Sequence, residues 1–171
     1  SDTLMFRSPT CTALDHLVAE KLASIAHIDI EQYARDMFDA GSNLREKSAK
    51  EIFYQDFKRF NSGKVSFGVG QISSLNADEL DSLKERLLPY LKKAHKEHGV
   101  DMMFFMLTNI LNESTILLYE GTGALPMLTN AFHLEENTEE ARDSASGTVE
   151  LPGVVSRKKQ LIPAIMIACE E

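Results

Sequence analysis

Met102-Met103-Phe104-Phe105-Met106-Leu107 is an unbroken apolar run. It is far too short to cross a bilayer. An apolar segment of this length without alternation reads as a central strand covered on both faces. Residues 114–119 supply its hairpin partner. Upstream, Val65, Phe67 and Val69 alternate with Ser66, Gly68 and Gly70, the pattern of a half-buried strand. That strand is entered from Phe57-Lys58-Arg59-Phe60 through the turn signal Asn61-Ser62-Gly63. Between the two strands the spacing predicts a long helix. Asn76 is its N-cap, with Glu79 completing a capping box, and Gly99 is its C′ residue. Pro89 lies inside it and is expected to kink or break it.

Further out, Thr12 and Asp15 form a second capping pair. Leu14, Leu17, Val18, Lys21, Leu22 and Ile25 then make a helical stripe, apolar except for Lys21. A second helix is predicted over 29–41 with Tyr33, Met37 and Phe38 on its inner face, and a third after Ser48 carrying Ile52 and Phe53. Past the hairpin come a short helix over 125–132 and an acidic, polar loop over 135–146. The chain closes with a strand through Val149, a Pro152-Gly153 turn, a basic run and an apolar tail ending near Ala168. No internal repeat is visible. Helices first, then strands interleaved with helices, predict an α/β fold: a single domain with a central mixed β-sheet flanked by helices.

Composition agrees with that fold and narrows the function. With 171 residues, 43% apolar and 26% charged, the chain suits one soluble globular domain. A net charge of −8 argues against a nucleic-acid binder, which presents a basic face. The N-terminus has neither the basic start nor the long apolar run of a signal peptide, and no membrane span is expected. Cys11 and Cys169 then read as reduced thiols of a cytoplasmic protein. The absence of an initiator methionine, in sequence that already reads as structured, suggests a fragment.

Few residues offer chemistry. The densest positive site is Arg157-Lys158-Lys159, flanked by Ser156 and Gln160. Arginine presents a rigid fork of donors and lysine a mobile point charge, both suited to phosphate. Three basic residues in a row are more often a solvated surface patch than a binding site. Lys58-Arg59 forms a second basic pair, readable as a device that protects an edge strand or as part of the same cleft. The five histidines show no metal-ligand spacing, and His95 and His98 suit the negative end of a helix dipole. No phosphate loop, dinucleotide fingerprint or nucleophile elbow occurs. Cys11 reads as a small structural thiol. Asp2 alone is an exposed carboxylate that cannot provide an octahedral metal shell.

Matched in order, several motifs change this picture. Ser1-Asp2-Thr3-Leu4-Met5-Phe6-Arg7-Ser8-Pro9-Thr10-Cys11-Thr12 resembles the segment leaving the catalytic DHH domain of family II inorganic pyrophosphatases. Gly153-Val154-Val155-Ser156-Arg157-Lys158-Lys159-Gln160 resembles the signature near their C-terminus. Met37-Phe38-Asp39-Ala40-Gly41, Asp56-Phe57-Lys58-Arg59-Phe60 and Val69-Gly70-Gln71 fall between in matching order, so the resemblance covers essentially the whole chain. It implies a fragment in which residues 1–12 end the catalytic segment and residues 13–171 form the substrate-binding domain. In that family an N-terminal DHH domain holds Mn²⁺ or Co²⁺, with Mg²⁺, and activates a water. The C-terminal domain closes over pyrophosphate.

By position, the resemblance makes Arg157 and Lys158 the phosphate-binding pair, Lys58 the third basic ligand, and Ser156 and Gln160 their companions at the substrate. Asp2 matches a metal-ligating aspartate. The implied parent is a cytoplasmic homodimer that needs neither nucleic acid nor membrane. The fragment alone is expected to bind no metal and to be inactive. Two departures are visible: residues 135–146 make a longer acidic loop than compact members have, and Asn109 stands where an aspartate is expected after Thr108. The Phe- and Met-rich variants resemble clostridial-type members, some of which carry regulatory CBS domains. Exopolyphosphatases and prune-type phosphodiesterases, which carry a related domain, are one competing reading. A non-catalytic anion-binding module is another.

Overall fold

In the computed structural model, which describes residues 3–41, 44–134 and 144–170, five strands form one sheet in the order β1-β2-β3-β4-β5. They are β1 (Phe57–Ser62), β2 (Val65–Ser74), β3 (Met102–Asn109), β4 (Ser114–Glu120) and β5 (Ser146–Pro152). β2 and β3 run parallel, and the other neighbours are antiparallel. A parallel pair needs a crossover, which helix α4 (Ala77–His98) supplies. The expected mixed sheet with flanking helices is therefore present.

The 102–107 run divides by parity, as strand geometry requires. Met103, Phe105 and Leu107 pack against Leu83, Leu87 and Leu91 of α4 and against Ile52 and Phe53 of α3 (Ala49–Gln55). Met102, Phe104 and Met106 face the other way, onto Leu128 of α5 (Ala124–Phe132) and Ile165 of α6 (Ile162–Glu170). β2 departs from the half-buried expectation: Phe67, Gly68, Val69 and Gly70 are all buried. The glycines are the reason. A Cβ at Gly70 would sit 2.5 Å from two carbons of the Phe105 ring, and one at Gly68 would meet Met103 and Phe57. Absent side chains on that face admit large neighbours, so the alternation of large and small conceals a two-sided strand.

Pro89 does not break α4, which runs uninterrupted from Ala77 to His98. Pro89 is exposed, so the carbonyl it leaves without an amide partner is on the water side, while Leu83, Leu87, Leu91 and Ala94 keep the other face buried. The α4 cap also differs from a simple box. Asn76 accepts from the Glu79 amide, but the Glu79 carboxylate turns to the Ser74 hydroxyl, which in turn accepts from the Asn76 amide.

The first two helices, α1 (Ala13–Ala26) and α2 (Ile30–Gly41), carry apolar side chains that the core does not take up. The Thr12–Asp15 capping box is present. The apolar stripe of α1, however, faces outward: Leu14 is 67% exposed, Leu17 62% and Leu22 60%. The inward face is the slender Asp15, Ala19 and Ala23 row. Tyr33 and Met37 of α2 are also exposed rather than inner. Hydrophobic period identifies the face that seeks a partner, and here that partner is not the domain's own core. Ahead of α1, Leu4, Met5 and Phe6 form a left-handed turn with φ of 48°, 53° and 67°, a conformation costly for residues with a Cβ. Phe6 then stacks on His16 at 4.2 Å. Among the described residues no helix is long and apolar enough to cross a membrane.

The start of β3 yields one pH prediction. Asp101 Oδ2 accepts from the Ser66 amide and hydroxyl, both at 2.7 Å. These bonds hold its carboxyl below the ordinary value of 3.8. A depressed pKa contributes stability that is present above the ordinary carboxylate range and lost as pH falls through the folded value. Thermal melts of wild type and Asp101→Asn should therefore differ most near neutrality and converge below the ordinary carboxylate range.

Candidate functional site

After β5 the chain turns at Gly153 (φ 75°), a conformation that favours glycine. It enters a π-helical turn over Arg157–Leu161. The Ser156 carbonyl accepts from the Gln160 and Leu161 amides, and its hydroxyl caps the Lys159 amide at 3.2 Å. Single π turns recur at functional sites. Here the turn brings Ser156, Arg157 and Lys158 onto one cleft.

Side chains from the sheet fix the loop before this turn. Thr115 donates to the Val154 carbonyl at 2.6 Å, and Gln71 Nε2 donates to the Val155 carbonyl and to Thr108. Gln160 Oε1 accepts from the Val155 and Ser156 amides, while its Nε2 donates to the Gly153 carbonyl at 2.7 Å. The Gln160 amide is thus committed to the loop's own backbone, and Gln160 does not line the cleft. Asn109 has a local task too: its Oδ1 accepts from the Leu111 and Asn112 amides in the β3–β4 turn.

The cleft encloses about 660 Å³. Its floor is Gln71, Ile72 and Ser73 at the carboxyl end of β2, the end where open α/β sheets receive ligands. Val155 to Lys158 form one wall and Gln55, Asp56 and Leu44 another, with Met37 and Phe38 beside them; Leu4, Ser8 and Thr10 of the leading segment close it. Arg157 is nearly enclosed, its side chain 10% exposed. Nη1 donates to the carbonyls of Asp56 (2.6 Å) and Val69 (3.3 Å), and Nη2 donates to Asp56 Oδ1 at 2.8 Å. Lys158 is exposed, with no hydrogen bond or ion pair among the described residues, so its charge is available to a ligand. Lys159 instead reaches the Pro9 carbonyl at 3.5 Å.

Lys58 is exposed on β1, the sheet edge, and does not line the cleft. Its register partner is Val69, whose carbonyl anchors Arg157. It therefore stands one strand spacing, about 4.8 Å, from that anchor. Asp2 lies outside the described residues, as do positions 135–143 of the acidic segment. Among the described residues no three His, Cys, Asp or Glu side chains gather into a metal site. The residues do not fit a metal cluster, and no step through a metal is assigned to them. Asp56 and Gln71 are site residues that the sequence does not single out, although both lie within the matched motifs. Their signal was polarity at the margins of apolar strands, which is too common to single them out.

A charged fork and an exposed ammonium beside the hydroxyl-bearing Ser8, Ser73 and Ser156 are suited to an oxyanion bearing several charges. Comparison with known proteins points the same way. Residues 35–168 match the model of the DHHA2 domain. The chain is 40% identical over 170 residues to the "Probable manganese-dependent inorganic pyrophosphatase" of Clostridium acetobutylicum, covering 99% of this chain and 52% of that one. It is 39% identical to the "Cobalt-dependent inorganic pyrophosphatase" of Clostridium perfringens, over 96% of this chain and 28% of the relative. Among solved structures, the Methanococcus jannaschii "putative family II inorganic pyrophosphatase" superposes with a TM-score of 0.81 at 33% identity, covering 99% of this chain and 52% of that one. The chain thus spans about half the length, or less, of these relatives.

Proposed function

Since the chain belongs to the DHHA2 domain family, we propose that it is the substrate-gripping half of a metal-dependent inorganic pyrophosphatase that hydrolyses pyrophosphate to two phosphates. The observation that carries this reading is the pairing of an anchored Arg157 with an exposed Lys158 on a cleft at the carboxyl end of β2. Pyrophosphate cleavage needs little covalent chemistry from a protein and much positioning and charge neutralisation. Arg157 and Lys158 supply both, and Lys58 joins them when the parent closes. The Ser156 hydroxyl, at the head of the π turn, orients the basic pair from behind while its residue lines the cleft.

The metals named for the relatives, manganese and cobalt, belong in this proposal to a DHH domain in the rest of the parent. Asp2 would reach that centre at the junction, and residues 1–12 would connect the halves. The outward stripe of α1 supports such an arrangement. Leu14, Leu17 and Leu22 form an apolar row on a helix preceding the family match, yet within the stretch shared with the relatives. Exposed rows of this kind mark contact surfaces. In this proposal the parent is a cytoplasmic homodimer. The C. perfringens relative, of which the chain covers 28%, leaves length for regulatory CBS domains.

Isothermal titration of the purified chain with pyrophosphate at low ionic strength tests the reading. Binding should be detectable, weaken as salt rises, and fall in Lys158→Ala. Added Mn²⁺ should bring no phosphate release from the chain alone. Preference for long-chain polyphosphate over pyrophosphate would move the assignment to an exopolyphosphatase. Manganese-dependent hydrolysis by the isolated chain would overturn the division of labour.

A further inference from the structure

We propose that Asp56 is the positioning residue that aims the Arg157 fork at the anion, a role that rests on the pyrophosphate reading above. A guanidinium has five N–H groups. Three are spent within the domain: both of Nη1 on the Asp56 and Val69 carbonyls, and one of Nη2 on Asp56 Oδ1. Asp56 therefore takes the end of the guanidinium with its backbone and its carboxylate together. Two bonds from one residue, plus a third from Val69, fix both the place and the plane of the group. The two N–H groups left are the second of Nη2 and that of Nε. They share one edge, and they are the pair that meets two phosphate oxygens side by side. Among the described residues neither has a partner. Arg157 lines the cleft, so this open edge is offered where a ligand can meet it.

The charge on Asp56 makes the role testable by sign. Its carboxylate is 49% exposed and also lines the cleft. By charge alone it repels an anion, and deleting it would tighten pyrophosphate binding. If Asp56 acts by holding Arg157, deleting it loosens binding against that Coulomb trend. A double-mutant cycle separates the two effects.

Pyrophosphate is titrated into wild type, Asp56→Ala, Asp56→Asn, Arg157→Gln and the Asp56→Ala/Arg157→Gln double variant of the chain, with melts recorded for each. Asp56→Ala should weaken binding about tenfold. Asp56→Asn should recover most of the loss, because its amide oxygen still accepts from Nη2. In the Arg157→Gln background Asp56→Ala should no longer weaken binding and should slightly tighten it. Tighter or unchanged binding by Asp56→Ala with Arg157 present overturns the positioning role while leaving the pyrophosphate reading intact. So does equal weakening in both backgrounds, which marks a general loss of structure. Absence of pyrophosphate binding by wild type overturns the reading and this role with it.

Discussion

Gly70→Ala destabilises the domain by roughly 3 kcal/mol, a fall of some 6–12 °C in melting temperature for a domain of this size. The added methyl would lie 2.5 Å from Cδ2 and Cε2 of Phe105, a ring that is wholly buried and stacked on Phe53 at 5.5 Å. Phe53 in turn touches Phe57 and Tyr90, so the Phe105 ring cannot withdraw without disturbing an aromatic cluster. The strand cannot retreat either, since β2 is paired on both sides. Shrinking the ring offers relief. Phe105→Leu alone leaves a cavity and costs about 2 kcal/mol, yet combined with Gly70→Ala it should cost less than the two losses summed. Chemical denaturation of the four proteins measures this coupling. Strict additivity would show that Gly70 is not kept small by Phe105.

Arg157→Ala has the second large effect, and it acts on two quantities. In stability it removes three donor bonds and leaves the Asp56 and Val69 carbonyls short of a partner, at a cost of about 2–3 kcal/mol. In binding it removes the charged fork and should weaken pyrophosphate tenfold or more. Lys158→Ala provides the contrast. With no bond or ion pair among the described residues, it should change stability by less than about 0.5 kcal/mol while still weakening binding. Parallel melts and titrations of the two variants check the division. A Lys158 variant as unstable as the Arg157 variant would show that the lysine is part of the framework rather than the cleft.

These two sites differ in how much the amino-acid sequence discloses. The 102–107 run declared its two-sided burial because every position in it is apolar. Gly68 and Gly70 hid the same property in β2, since a glycine carries no sign of the ring that fills its place. The α1 stripe was legible as a periodicity, but period names a face and not its occupant, so the exposure of Leu14 and Leu17 could not be read from it. Pro89 was expected to kink or break α4 on local grounds, and four buried residues on the opposite face keep the helix continuous. At the cleft, the chemistry of Arg157 and Lys158 could be read directly, though only the resemblance lifted them above a surface patch. The tie to Asp56 could not be read at all. It joins residues 101 positions apart, and no local rule links an aspartate at a helix end to an arginine near the C-terminus. Gln160 was similarly opaque, because an amide serving substrate and an amide serving its own loop look alike in one dimension.

The parallel junction of β2 and β3 also sets the order in which the molecule can assemble. β1 with β2, and β3 with β4, are hairpins whose contacts are short in sequence and quick to form. Joining them requires α4 to be laid across the sheet, a non-local step that bears the entropy of a long closed loop. The cleft straddles this seam: Gln71 comes from one hairpin, Thr108 and Thr115 from the other, and the loop they hold arrives from beyond both. No partly folded species that lacks the seam can possess the cleft. A bound anion would therefore select the completed fold alone, acting as a latch on the slowest stage of folding rather than as a local brace.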